Sequence, residues 1–300
     1  MDFELSAAQA QMLDRLDAQL AAHGPPAETF DAPLFARLRA DGWFDLARGG
    51  PSGVLDAVLV VERLSRQVVL TPAGVHALVL PLLFDADDGR IAAIAEAAGR
   101  EPLAFGGEAG LVVRYEGDVA AAYRIDPSQA RPAKANYIYP LAFPGPEGGE
   151  VAARAPAAAV RRRHRLAVAA EIVGALDGAL EMVTRYLTER EQFGRPLGAF
   201  QALQHRAAEL AVSVEGARWL TRTAAFADSD EDAALAAAYA ARAARRMAWD
   251  AHQLHGARGF TLAYGLHRHT LRLQFLSLAA GGAARHATDA ARERWLTAAA

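Results

Sequence analysis

The spacing of apolar positions divides the chain into three stretches. Residues 2–22 carry Leu5, Met12, Leu13, Leu16 and Leu20 at helical intervals, with Ser6 placed to cap and Gly24-Pro25-Pro26 to stop the helix. Further helices are predicted over 31–41, with Pro33 near the start and Gly42 at the end, and over 53–68, where Leu55, Val58, Leu59, Val61 and Leu64 recur. Residues 71–84 form another apolar segment, and 88–98 read as a short helix. From Arg100 the helical period fades and Gly, Pro, Tyr and Val become frequent. Leu111–Tyr115, Ala120–Ile125 and Tyr137–Leu141 read as short strands. Gly106-Gly107, Glu116-Gly117-Asp118 and Pro144-Gly145-Pro146 read as turns.

The period returns at Arg161. Leu166, Ala169, Ile172, Val173, Leu176, Leu180, Val183 and Leu187 form one stripe on a long helix over 161–189. A second helix, over 198–226, points Leu203, Ala207, Leu210, Val214, Ala217, Leu220 and Ala224 inward. A third covers 232–255 with Asp230 as its expected N-cap, and a last pair covers 264–279 and 283–297, broken at Gly281-Gly282. The predicted fold is α+β and mostly α. It comprises an N-terminal helical domain (1–100), a small middle β domain (101–160) and a C-terminal antiparallel helical bundle (161–300).

Composition narrows the chemistry. The 300 residues include no cysteine, which excludes disulfides, iron–sulfur clusters and thiolate metal sites and fits a reducing, cytoplasmic setting. The net charge of −3 provides no basic field for nucleic acid. No apolar run is long enough to suggest a membrane span, and the N-terminus does not read as a signal peptide. His255, His267 and His269 lack the neighbouring acids and the spacing of a metal site.

Two short blocks carry the candidate chemistry. The first is Arg190-Glu191-Gln192-Phe193-Gly194-Arg195-Pro196, followed by Phe200 and Gln201, at the break between two helices. Pro196 cannot continue a helix, and a guanidinium fixed at such a break suits a phosphate. The second block, about sixty residues on, is Gln253-Leu254-His255-Gly256-Ala257-Arg258-Gly259-Phe260. Small residues there let backbone N–H groups approach an anion. An alternative reading makes Phe193, Phe200 and Phe260 core aromatics and the glutamines surface amides.

The two blocks resemble the "R-x-x-F-G … Q" and "Q-x-x-G-G-x-G-F" motifs of the acyl-CoA dehydrogenase family. The resemblance implies FAD as cofactor, held by Arg190, Gln192, Phe193, Gln201 and Gln204 from one block and by Gln253, Gly256 and Ala257 from the other. Ala257 stands where the family has a second glycine, tolerable unless positive φ is required. The middle domain is shorter than the family's and lacks its Trp-Ile-Ser/Thr block. The base that removes the substrate α-proton is also missing. Twenty residues after Phe260 stands Ala280, and the alternative position on the long helix is His164. His164 lies in Arg161-Arg162-Arg163-His164-Arg165, a run that reads as a basic, solvated segment.

These departures lead to an expected heterotetramer with a second acyl-CoA dehydrogenase-like subunit that supplies the glutamate, an acyl-CoA substrate that could be a steroid side-chain thioester, and electron-transfer flavoprotein as acceptor. The alternatives are a scaffold without flavin contact, a homomeric dehydrogenase with a displaced base among Glu171, Glu181 and His164, and a flavin monooxygenase of the same fold.

Overall fold

The computed structural model of the chain describes residues 4–96, 101–134, 138–145 and 149–297. Asp2, Phe3, Ala97, Ala98, Arg100, Tyr137 and Pro146, which enter the predictions above, lie outside the described residues. Helix α1 (Ala7–His23) opens with a reciprocal cap. The Ser6 hydroxyl accepts the Gln9 N–H, and the Gln9 side chain accepts the Ser6 N–H, so two orphan donors are satisfied. Helix α2 (Ala32–Ala40) is capped by Asp31, whose carboxylate accepts the Leu34 N–H at 3.0 Å. Helix α3 spans Pro51–Arg66, and a π turn (Val75–Val79) with a 3-10 turn (Leu80–Leu82) follows it.

The helix predicted over 88–98 is replaced by strand β1 (Ala92–Ala95). Its partner is β3 (Leu111–Glu116), paired in parallel, with Ala92 opposite Leu111. Strand β2 (Leu103–Ala104) lies between them in sequence. A tight turn at Gly117, φ +63°, returns β3 as antiparallel β4 (Val119–Arg124), as the sequence predicts. Strands β5 (Arg131–Pro132) and β6 (Leu141–Phe143) pair with each other, and β6 also pairs with β2. Strand β7 (Val151–Pro156) completes a four-stranded sheet in the order β1-β3-β4-β7.

Helix α4 (Ala157–Glu189) follows β7 directly, and its 33 residues form the axis of the molecule. The predicted stripe is buried along it, with Leu180 partly so. Helices α5 (Gln201–Ala227) and α6 (Asp230–His255) fold back and forth beside it. The N-cap of α6 is Ser229, not Asp230. Its hydroxyl accepts the Asp232 N–H at 3.0 Å, and Asp230 is already the first helical residue. Helices α7 (Leu266–Leu276) and α8 (Gly282–Arg292) close the bundle. One apolar core runs from α1–α3 through α4–α7, and two smaller clusters line the sheet.

Two features fix α4 against its neighbours. A Cβ on Gly174 would lie 2.1 Å from the Glu62 carbonyl oxygen, so the missing side chain lets α3 and α4 touch. The run from Arg161 to Arg165 is not the solvated segment its charge suggests, because His164 and Arg165 are buried. Arg162 pairs with Asp228 and Asp230, Arg163 with Asp228, and Arg165 with Asp289 of α8. Acids from the α5–α6 loop and from α8 neutralise the run, so it packs as part of the bundle.

Candidate functional site

All eight predicted nucleotide contacts lie at one end of the bundle, and the first block forms a corner there. Arg190 ends α4, donating its N–H to the Tyr186 carbonyl at 2.9 Å and accepting the Leu197 N–H at 2.7 Å. Strands β8 (Glu191–Gln192) and β9 (Arg195–Pro196) then form a two-residue hairpin. Phe193 and Gly194 make its turn with φ of +56° and +77°. Positive φ at a phenylalanine is uncommon, and it holds the Phe193 ring 89% exposed. Arg195 lies over the Phe200 ring at 4.1 Å. Gln201 and Gln204 occupy the first turn of α5, exposed and three residues apart, and Gln204 donates to the Gly198 carbonyl at 2.7 Å. Gln192 donates to the Glu191 carbonyl at 2.8 Å.

The second block reaches the same end because α4 and α6 run in the same direction. Tyr186 stacks on His255 with ring centres 4.7 Å apart, and Arg258 sits over Tyr264 at 4.8 Å. Gln253 is exposed on the last turn of α6. Gly256 adopts φ +56° and begins the following 3-10 turn (Gly256–Phe260), in which Ala257 has no positive φ. The alanine in place of a second glycine is therefore unstrained. Phe193 and Phe260 are exposed, which removes the reading of both as core aromatics.

This corner fits a dinucleotide diphosphate. Among the described residues the Arg190 guanidinium has no ion-pair partner. Exposed amides and a positive-φ glycine stand beside it.

A second feature lies further back along α4. A cavity of about 440 Å³ opens between β1, β2, β6, α4 and α7. Its walls are mainly apolar, with Val75, Ile94, Phe105, Val168, Phe275 and Leu276 among them. The polar groups on it are Glu96, Glu101, Tyr139, His164 and Glu171. The Tyr139 hydroxyl donates to Glu171 Oε2 at 2.9 Å. Burial pushes the Glu171 carboxyl up, although Arg272, the Tyr139 hydroxyl and the Gly74 N–H pull it down. Arg272 is buried, donates to the Ser65 carbonyl at 3.1 Å and to the Val69 carbonyl, and lies over the Tyr139 ring at 5.2 Å.

The two anticipated base positions are both near this cavity. Ala280 follows the wall residues Leu278 and Ala279, with φ +52° and no side-chain acceptor. His164 lines the wall, its Nδ1 3.4 Å from the Tyr115 hydroxyl. Burial first, then His286, Arg165 and Arg161, push its imidazole down to about 3, so it is a weak proton acceptor. Sequence reasoning missed Glu96, Tyr139 and Arg272. Only Arg272, a cation inside an otherwise amphipathic helix pattern, carried a local signal.

Residues 160–294 match the family model described as acyl-CoA dehydrogenase, C-terminal domain. The acyl-CoA dehydrogenase IpdE2 of Mycolicibacterium smegmatis is 31% identical over 236 residues, covering 76% of this chain and 73% of that protein. Two solved assemblies share the fold. The ChsE4–ChsE5 complex from Mycobacterium tuberculosis superposes with TM-score 0.77 at 23% identity, covering 98% of this chain and 99% of that chain. The Tcur3481–Tcur3483 "steroid ACAD" gives TM-score 0.74 at 21% identity, covering 97% and 100%. The chain belongs to the acyl-CoA dehydrogenase family, oxidoreductases that act on acyl-CoA thioesters with FAD as cofactor.

Proposed function

We infer that this chain is one subunit of a heteromeric acyl-CoA dehydrogenase, and that its Arg190 corner completes a FAD site belonging to a second, dehydrogenase-like subunit. One observation carries this reading: the corner and the cavity are too far apart for one cofactor. Glu171 is the cavity residue of α4 nearest the corner, and 19 residues of helix separate it from Arg190. At the rise of an α-helix that is roughly 28 Å. A five-carbon ribityl chain spans only roughly 10 Å at ordinary covalent bond lengths. A FAD gripped by its diphosphate at this corner therefore presents its ring to a cavity of another polypeptide.

That the other polypeptide differs from this one is supported by the two-component assemblies among the similar structures. In this reading the partner carries its own α-proton base, the assembly is a heterotetramer in the cytoplasm, and electron-transfer flavoprotein takes the electrons. The mainly apolar cavity and the steroid ACAD similarity support a ring-bearing acyl-CoA, such as a steroid side-chain thioester.

The test is co-expression. The chain alone should be flavin-poor and gain stoichiometric FAD with the adjacent dehydrogenase-like subunit. Arg190→Ala should lower the FAD content of that complex. Full flavin loading and turnover by the lone chain would refute the need for a different partner subunit, and an Arg190→Ala complex with undiminished FAD would refute the shared site.

A further inference from the structure

The cavity this chain builds holds a carboxylate at neither anticipated base position. Strand β1 ends at Ala95, and the next residue, Glu96, lines the cavity. Its Oε1 accepts the backbone N–H of Ala280. The strand thus delivers a carboxylate to the residue where the sequence leaves a methyl group. The Gly281 N–H also acts on this carboxylate, and with Glu96 on the cavity wall its remaining lone pairs face a ligand there.

The other acids on the cavity are committed. Glu171 is fully enclosed, held by the Tyr139 hydroxyl and the Gly74 N–H with the Arg272 charge beside it. Glu101 accepts the Glu96 N–H at 3.1 Å. Glu96 keeps one side open to solvent, yet burial toward the cavity pushes its carboxyl up. That outweighs the Ala280 and Gly281 amides, which pull it down. A carboxylate raised in this way is a better proton acceptor than one in water.

We propose that Glu96 is the catalytic base of this chain's own cavity, removing the α-proton of an acyl-CoA bound there. The inference rests on the dehydrogenase reading of the cavity and is independent of which subunit grips the nucleotide. The α C–H bond breaks and its electron pair becomes the Cα=Cβ π bond, while the proton passes to the Glu96 carboxylate. The β-hydrogen leaves with its pair to the flavin, so the thioester loses two electrons and the FAD gains two. The assembly then has two working sites per pair of subunits, one with Glu96 and one with the partner's base.

The probe is 2-octynoyl-CoA. A base that takes its γ-proton, with reprotonation at the α-carbon, converts it to the 2,3-allene, and the same carboxylate then adds at C3 to leave an ester. No electron acceptor is consumed, so labelling is read with or without flavin, on the full chain alone or in its complex. Trypsin releases residues 91–100, in which Glu96 is the only acidic residue. The expected result is the ester mass on that peptide, suppressed by excess butyryl-CoA and lost in Glu96→Gln, with flavin content unchanged. A label on the Glu171 peptide instead, or none on 91–100, overturns the proposal. A flavin-free complex whose 91–100 peptide is labelled refutes only the shared nucleotide site.

Discussion

His76 provides a direct test of how burial governs the seating of β1. Its ring is 3% exposed and packs edge-on against Phe35 with centres 4.8 Å apart. Its Nε2 accepts the Ala92 N–H at 3.0 Å, which requires a neutral imidazole. Burial, with Arg39 and Arg48 adding and Asp87 opposing, pushes the ring from 6.5 down to about 3. The unfolded chain therefore binds more protons than the folded one between those two values. Stability from this group is full above pH 6.5 and is lost as the pH falls toward 3. At pH 5 one such histidine costs about 2 kcal/mol relative to pH 8. Glutamine at this position keeps an acceptor for the Ala92 N–H and does not titrate. In His76→Gln the lost ring packing should cost about 1–2 kcal/mol at pH 8. The fall in stability from pH 8 to pH 5 should shrink by about 2 kcal/mol relative to wild type. Urea unfolding followed by far-ultraviolet circular dichroism at the two pH values measures this double difference. The other buried histidines, His164, His269 and His286, contribute equally to both proteins and cancel. Equal acid losses in wild type and variant would refute the reasoning.

Four further substitutions probe the packing and the corner. Gly174→Ala forces a methyl group into the Glu62 carbonyl and should lower stability by about 3 kcal/mol, seen as a fall in Tm. Arg272→Met strips donors from the Ser65 and Val69 carbonyls and a counter-charge from Glu171. It should cost about 3–5 kcal/mol in urea unfolding, partly recovered when combined with Glu171→Gln. At the corner, Ala257→Gly should leave FAD content unchanged and lose about 0.5–1 kcal/mol of stability, since that residue has no positive φ to relieve. Gly256→Ala should cost about 1–2 kcal/mol from its φ alone and reduce the flavin absorbance of the complex.

The parts of the molecule that were legible in sequence are those whose causes are local. The stripe from Leu166 to Leu187, the Ser6 cap and the Gly117 hairpin each depend on neighbours a few positions away. The break at Arg190 was legible for the same reason, because a helix stop and a glycine are written where they act. Strand β1 was not legible. Ala92, Ala93 and Ala95 are buried on both faces of the sheet, so the run shows no alternation and reads equally well as helix. The basic run at 161–165 misled because the acids that neutralise it, Asp228 and Asp289, are supplied by distant parts of the chain. The cavity was least legible, since Glu96, Tyr139, Glu171 and Phe275 meet only after the strands and helices have assembled. Glu96 in particular looked like one more charged position on a short helix.

Helix α4 carries a cavity wall near one end and Arg190 at the other, and this restricts how the chain can change. Removing or adding one residue between Glu171 and Arg190 would rotate everything downstream by about 100° and slide it by about 1.5 Å. The rod thus works as a phased ruler. Side chains along the cavity wall can be exchanged without moving the Arg190 corner, but an insertion or deletion within that span would turn the corner away from its present bearing on the wall.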